Sequence, residues 1–174
     1  WRRSKSDKTE QSKMKIISWN VNGIRSVYKK GFLKFIKKYD PDILCLQEIR
    51  AGKEQFPKEL INLNNYFFYI NSSRKKGRAG VAIYTKEKPI DVDNIFGYKY
   101  FDREGRFLRL DFKNFILINL YFPHGGRKKE RLNYKLKIYD YFLNFAKKNK
   151  NKKIVLVGDF NIAHKDIDLT RPKQ

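Results

Sequence analysis

Residues 154–161 read IVLVGDFN, and the change of chemistry within this stretch decides how the fold is interpreted. Four branched apolar residues in a row are typical of a strand buried on both faces. Gly158, Asp159 and Asn161 follow at once, so the strand ends in polar groups. Because strand ends on a rigid sheet hold side chains in fixed positions, the stretch predicts that Asp159 and Asn161 lie at a functional edge.

Three other apolar runs end in the same way. Residues 15–19, 43–46 and 115–120 are followed by Asn20 and Asn22, by Gln47 and Glu48, and by Tyr121. If strand geometry persists for two more residues, alternation points Asn20 and Asn22 to one side, and Asp159 and Asn161 likewise. A single polar strand end is typical of an ordinary turn. Four such ends in one chain indicate a shared site.

The remaining patterns predict an α/β fold with mixed sheets. Further strands are expected at 66–70, 81–84 and 107–112, and the last of these joins 115–121 through a two-residue hairpin connection at 113–114. Two amphipathic helices are expected. The first helix carries an apolar stripe at Phe32, Phe35, Ile36 and Tyr39 and ends before Pro41. The second helix carries an apolar stripe at Leu132, Leu136, Tyr139 and Leu143.

Composition narrows the class of function. The chain has 174 residues, with 40 Lys+Arg against 18 Asp+Glu and a formal net charge of +22. Such an excess attracts polyanions such as nucleic acid, although a lysine-rich solvated surface is an alternative explanation. One cysteine excludes a disulfide framework, and no apolar run is long enough for a membrane span, so we expect no membrane association. Residues 1–13 are polar and basic, and we predict a flexible extension before a folded part at 14–174.

The polar strand ends favour one kind of chemistry. Glu48, Asp159, Tyr121 and several asparagines offer oxygen ligands and amide donors, without a pair of histidines or cysteines. Oxygen donors suit Mg²⁺ or Mn²⁺ and not structural zinc. Magnesium held by one or two carboxylates works with substrate phosphates, so a basic protein with this set is expected to act on phosphodiesters.

In these motifs the chain resembles the exonuclease III family of abasic-site (AP) endonucleases, within the endonuclease/exonuclease/phosphatase superfamily. The resemblance runs from Met14 to the last residue and rests on blocks at 18–25 (SWNVNGIR), 46–48 (LQE), 80–83 (GVAI), 121–127 (YFPHGGR) and 158–164 (GDFNIAH). Residues 166–169 and 171–173 are similar to this family in particular, which disfavours a phosphatase or a retrotransposon nuclease of the same superfamily.

The resemblance implies a four-layer α/β sandwich with two packed mixed β-sheets flanked by helices, incomplete at its C-terminus. It also implies catalytic roles. Glu48 would be the Mg²⁺ ligand, with Asn20 helping to place it. Tyr121 would contact the scissile phosphate, Asp159 would orient or deprotonate the attacking water, and Asn161 would hydrogen-bond a phosphate oxygen.

Contacts to DNA are implied for four more residues. Asn22 would lie in the same shell as Glu48, and Arg127 where the family contacts DNA beside the lesion. Gly77 and Arg78 would touch the backbone near the flipped-out abasic sugar, whose expulsion breaks no base pair.

The implied reaction is Mg²⁺-dependent attack of water on the phosphodiester 5′ to an abasic site in double-stranded DNA. Family members often add 3′→5′ exonuclease and 3′-phosphodiesterase activity. The expected location is the cytoplasm, at the nucleoid in a prokaryote, or the nucleus in a eukaryote.

The downstream motifs of the family, including its closing Ser-Asp-His, do not occur in this chain. His124 and His164 lie in other contexts, so neither is assigned the catalytic role. Three explanations stay open: a fragment, a split enzyme whose second chain supplies the C-terminal half, or a truncated non-catalytic DNA-binding module. We expect the isolated 174 residues to be inactive on abasic DNA without that half.

Overall fold

Two four-stranded mixed sheets form the centre of the protein. The structure, a computed structural model, describes residues 13–126, 129–163 and 165–168. The first sheet has the strand order β1-β2-β4-β3, and the second has the order β5-β6-β7-β8. The strands are β1 (Ile16–Asn20), β2 (Ile43–Gln47), β3 (Phe67–Asn71), β4 (Val81–Thr85), β5 (Asp91–Asp93), β6 (Phe107–Asp111), β7 (Ile116–Tyr121) and β8 (Ile154–Asp159).

Helices cover the outer faces of the two sheets, which confirms the four-layer sandwich. The helices are α1 (Ile24–Lys29), α2 (Phe32–Tyr39), α3 (Lys58–Ile61), α4 (Lys99–Arg103) and α5 (Leu132–Lys148). One apolar core lies between the first sheet and α1 to α3, a second lies between the sheets, and a third lies between the second sheet and α4 and α5. The first sheet has an apolar core on each of its faces. β2 and β4 are therefore continuous apolar runs, because both faces of each strand are buried.

Parallel pairing brings the polar strand ends together. β1 pairs parallel with β2, and Asn20 lies opposite Gln47 at the last position of that register. β7 pairs parallel with β8, and Tyr121 lies opposite Asp159 at the last position there. Because the carboxyl ends of parallel strands lie at one edge, each sheet presents two of the four predicted ends side by side.

A buried polar pair joins the two sheets beside these ends. Gln47 Nε2 donates to Asn119 Oδ1 at 2.7 Å, and Asn119 Nδ2 donates to the carbonyls of Leu46 and Ala82 at 3.0 and 3.1 Å. Both side chains are almost fully buried. Since buried amides are costly unless satisfied, this pairing fixes the end of β2 relative to β7.

The first predicted helix is confirmed and the second is correct in place but wrong in orientation. α2 ends at Tyr39, and its C-terminal capping residue Asp40 takes a left-handed conformation (φ 38°) just before Pro41. In α5, Leu136 and Leu143 of the predicted stripe are 51% and 54% exposed, whereas Ile138 is fully buried. The helix packs through Tyr139 of the predicted stripe together with Tyr134, Ile138, Phe142 and Phe145.

Some predictions fall outside the described residues, and some elements were not predicted. The extension at 1–13 lies outside them apart from Lys13, as do His164 and residues 169–174. The sequence patterns did not predict β5, α1, α3 or α4. Within the described ranges, no helix combines the length and apolar character needed to span a bilayer.

Candidate metal and phosphate site

Glu48 and Asp159 face one amide between the two sheets. Asn20 Nδ2 donates to Glu48 Oε2 at 3.0 Å and to Asp159 Oδ2 at 2.7 Å. The amide is itself held in place, because its oxygen accepts a hydrogen bond from the backbone N–H of Asn22 at 3.0 Å. Two carboxylates from different sheets therefore converge on a single point, as the strand-end pattern predicted.

The charge of Glu48 is stabilised by its neighbours. Burial raises the pKa of Glu48, but hydrogen bonds from Asn20, Arg50 and Tyr121 outweigh it and hold the pKa below its usual range. Arg50 donates its Nε to Glu48 Oε1 at 3.0 Å and forms an ion pair with the same oxygen. Glu48 is consequently ionised at neutral pH. Because the Arg50 side chain is 46% exposed, this partner has room to move away from the carboxylate.

Tyr121 completes the cluster from the end of β7. Burial raises the pKa of Tyr121 to about 12, and the charge of Glu48 beside its hydroxyl acts in the same direction. The hydroxyl is therefore a proton donor at neutral pH. On the other side of the ring, the Arg106 guanidinium lies 4.5 Å from the ring centroid and donates to the Tyr121 carbonyl at 3.0 Å.

The expected alternation stops where the strands stop. Asn22 and Asn161 both take the left-handed conformation, with φ of 46° and 51°. Asn161 remains in the site, where its backbone N–H donates to Asp159 Oδ1 at 2.9 Å and its amide donates to the Phe122 carbonyl at 2.8 Å. Asn22 lies beside the site, but its exposed side chain points into a neighbouring groove next to Arg50 and does not bond to Glu48.

The two predicted loop residues lie on opposite sides of the cluster. Gly77, with φ 72°, lines the groove that contains Asn22 and Arg50. Arg78 lines a separate cleft, together with Arg106. The loop between β3 and β4 therefore reaches both sides. Arg127, the remaining predicted DNA contact, lies outside the described residues.

Sequence reasoning missed Arg50, Arg106 and the close approach at Gly158. An added Cβ at Gly158 would lie 2.0 Å from the Leu120 carbonyl oxygen, so only glycine allows β8 to pack this closely beside β7 before Asp159. Arg106 could have been found from its position: it follows Gly105 at the start of an apolar strand, where a charge needs a partner.

The donor set fits a magnesium ion better than a caged metal. Among the described residues, no group of three or more acidic, histidine or cysteine side chains is placed to hold an ion. One carboxylate matches the few protein ligands that Mg²⁺ takes when it keeps waters and binds substrate phosphate. Glu48 is the residue that could hold it, and Asn20 places the Glu48 carboxylate by donating its amide N–H.

Comparison with known proteins identifies a family. A model of the Endonuclease/Exonuclease/phosphatase family matches residues 17–174. A curated DNA-(apurinic or apyrimidinic site) endonuclease of Dictyostelium discoideum is 38% identical over 95% of this chain and 46% of its own length. A Bacillus subtilis exodeoxyribonuclease is 38% identical over 92% of this chain and 63% of its own length.

The fold comparison agrees with the sequence comparison. A solved AP endonuclease from Archaeoglobus fulgidus superposes with a TM-score of 0.79 at 31% identity, covering 90% of this chain and 61% of that one. A 3′–5′ exonuclease from Neisseria meningitidis gives a TM-score of 0.77 at 28% identity, over 92% of this chain and 62% of that one. The chain thus spans about half to three fifths of the length of these relatives.

Proposed function

Because the chain belongs to the endonuclease/exonuclease/phosphatase family, we propose that the protein is a DNA-repair nuclease that cuts the phosphodiester 5′ to an abasic site, with Mg²⁺ as its cofactor and Mn²⁺ as a substitute. The observation that carries the proposal is the convergence of Glu48 and Asp159 on Asn20, with the Tyr121 hydroxyl beside Glu48. Relatives of this chain are named as AP endonuclease and exodeoxyribonuclease.

The chain's own residues suit hydrolysis of a phosphodiester. Both oxygens of Asp159 are oriented, one by Asn20 and one by the backbone of Asn161, so the carboxylate is fixed to accept a proton from an attacking water. Tyr121 keeps its proton at neutral pH, so its hydroxyl can donate a hydrogen bond to a phosphate oxygen. A magnesium ion bound at Glu48 would supply neutralisation of the charge that develops on the phosphate.

Asn161 can bind the same phosphate. One of its two amide protons is used on the Phe122 carbonyl, which fixes the side chain and leaves the second proton to donate. Pre-placed donors of this kind act without reorganisation during the reaction. We also propose accompanying 3′→5′ exonuclease or 3′-phosphodiesterase activity, because those reactions cut the same bond type at a strand end.

The substrate is tested with end-labelled duplexes that contain one abasic site, one nick or no lesion. With the protein in its full natural length, we expect Mg²⁺-dependent incision 5′ to the abasic site and no incision of intact duplex. Glu48→Gln and Asp159→Asn should each lower incision by at least about 10²-fold while abasic DNA is still bound. Cutting of intact duplex at a comparable rate, or unchanged incision by both variants, would contradict the proposal.

Activity of the 174 residues alone is a separate prediction. The chain spans about half the length of its relatives, and we expect these residues by themselves to bind DNA without incising it. The alternative is a non-catalytic DNA-binding module, for which the net charge of +22 would suffice to bind DNA without chemistry. Robust incision by the isolated chain would overturn the expectation.

We also propose where the protein acts in the cell. It would lie in the cytoplasm, at the nucleoid, in a prokaryote and in the nucleus in a eukaryote.

A further inference from the structure

A second cleft opens on the other side of Tyr121 from Glu48. It has a volume of about 580 Å³ and lies between the β3–β4 loop, α4 and the start of α5. Six of its side chains are cationic, against the two carboxylates of Glu104 and Glu130. Its floor is Arg106, which is only 5% exposed and also contacts the Tyr121 ring.

The charges of the cleft divide into a paired floor and an unpaired rim. At the floor, Glu104 accepts from Arg106 at 2.6 Å and from Arg131 at 2.7 Å, so this carboxylate is already neutralised. At the rim, Arg74, Lys75, Arg78 and Arg103 are exposed, and in the parts of the chain that the structure describes none of them forms an ion pair. The rim therefore concentrates uncompensated positive charge.

The rim is also organised and carries an aromatic surface. The backbone N–H of Arg74 donates to the Arg103 carbonyl at 3.0 Å, which ties the β3–β4 loop to α4. Tyr100, one turn of α4 before Arg103, is 63% exposed and lines the same cleft. A large aromatic ring open to solvent among unpaired arginines is the arrangement on which single-stranded nucleic acids stack their bases.

We propose that this cleft binds single-stranded DNA, with backbone phosphates on Arg74 and Arg103 and a base stacked on Tyr100. Its volume is that of a site for one small ligand, which accommodates one or two nucleotides but no duplex. The inference rests on the proposed function in one respect, because the strand in the cleft is the continuation of the strand cut at Tyr121. It adds a preference for substrates with an unpaired segment.

The test measures binding of oligo(dT) and of a blunt intact duplex by fluorescence anisotropy, without divalent metal. We expect Tyr100→Leu and the double variant Arg74→Gln/Arg103→Gln each to weaken oligo(dT) binding about tenfold. The double variant should also flatten the dependence of log K on log salt by about 1.4, since two phosphate contacts are lost at about 0.7 each. Duplex binding by Tyr100→Leu should stay within about twofold of the parent.

Matched controls come from the opposite end of the molecule. Tyr39 is an exposed tyrosine on α2, and Lys37 and Lys38 are two cations on the same helix. Tyr39→Leu and Lys37→Gln/Lys38→Gln should leave oligo(dT) binding close to parent. Parent-like oligo(dT) binding by Tyr100→Leu, or equal losses for duplex and oligo(dT), would overturn the assignment of the cleft. That failure is distinct from failure of the proposed function, which is read from incision of abasic duplex by the Glu48 and Asp159 variants.

Discussion

Two carboxylates flank Tyr121, and they are built for different tasks. Glu48 lies on the hydroxyl side of the ring and Glu104 on the other side, behind Arg106. Burial raises the pKa of both, and hydrogen bonds or cations lower both below the usual range. Glu104 is surrounded by Arg106, Arg131 and the Tyr134 hydroxyl, whereas Glu48 shares an amide with a second carboxylate.

The comparison shows that a lowered pKa by itself does not identify a reactive carboxylate. What separates the two is the identity and freedom of the neighbours. Glu104 is fixed by two arginines and a tyrosine, and it holds Arg106 against the ring of Tyr121. Among the described residues, Glu48 has one cationic partner, the half-exposed Arg50, and it faces Asp159 across Asn20. An incoming cation can therefore be bound at Glu48 and not at Glu104.

The largest expected difference is in activity. In the protein of full natural length, Glu48→Gln should lower the rate of incision of abasic DNA by about 10³-fold, because the group that places the metal loses its charge. Glu104→Gln, measured at a temperature where the protein is folded, should lower it by less than about tenfold, through the position of Tyr121 alone. Comparable losses for both variants would remove the distinction between the two carboxylates.

Stability should show the opposite order. Arg106→Leu removes a buried cation and leaves Glu104 with fewer partners, so the free energy of unfolding should fall by about 3 kcal/mol. Arg50→Leu breaks an ion pair whose cation is half exposed and should cost less than about 1 kcal/mol. Urea unfolding of the two variants provides the measurement. A larger loss for Arg50→Leu would contradict the interpretation that Arg106, and not Arg50, holds a structural ion pair.

The acid dependence of stability sharpens the same contrast. The pKa of Glu104 is lowered on folding, so its contribution is present above its ordinary value of about 4.5 and is lost as the pH falls through the folded value. In Glu104→Gln, the free energy of unfolding should therefore decline less steeply between about pH 6 and pH 3. Glu48 titrates in the same direction, so the slope should shrink without vanishing. An unchanged slope would show that Glu104 does not contribute.

The smallest effect is expected at the edge of the Glu104 cluster. Tyr134 donates its hydroxyl to Glu104 Oε2 at 3.0 Å, and Tyr134→Phe should destabilise the protein by about 1 kcal/mol. Tyr98 is a matched control, since its ring lies 6.3 Å from that of Tyr134 and, within the described ranges, its hydroxyl has no hydrogen bond. Tyr98→Phe should cost less than about 0.5 kcal/mol by thermal or urea unfolding. Equal costs would count against a specific role for the Tyr134 bond.

Much of the fold follows from the sequence because its central strands are buried on both faces. Strands such as β2 and β4 are continuous apolar runs, and the sequence predicts them to within one residue. β5 escaped because Asp91–Asp93 is a short polar edge strand that is held by pairing with β6 and has no apolar pattern of its own. Local composition contains no signal for such an element.

The orientation of α5 could not be predicted, because two apolar stripes run along the same helix. One contains Leu136 and Leu143, and the other contains Ile138, Phe142 and Phe145. Both have helical spacing, so periodicity cannot choose between them. The choice is made by the third core, where Phe107 of β6 and Phe122, which follows β7, pack against the second stripe.

The sequence predicted the two carboxylates of the candidate site but not its arginines. Strand ends identified Glu48 and Asp159, since a polar residue after a buried run is a distinct pattern. Arg50 is one of 40 basic residues, and in so basic a chain its charge carries little information until its partners are known. Arg106 is distinguished only by its position at the start of an apolar strand. Their roles depend on contacts made through the folded structure.

The most direct test of the central claim is a double-mutant cycle on the incision of abasic DNA by the protein of full natural length, using single-turnover rates. If Glu48 and Tyr121 act on the same phosphate, Glu48→Gln/Tyr121→Phe should be about as slow as the slower single variant, because groups that act as a unit are strongly non-additive. If the losses of the two single variants multiply in the double variant, the residues act independently and the account of a single shared site is contradicted.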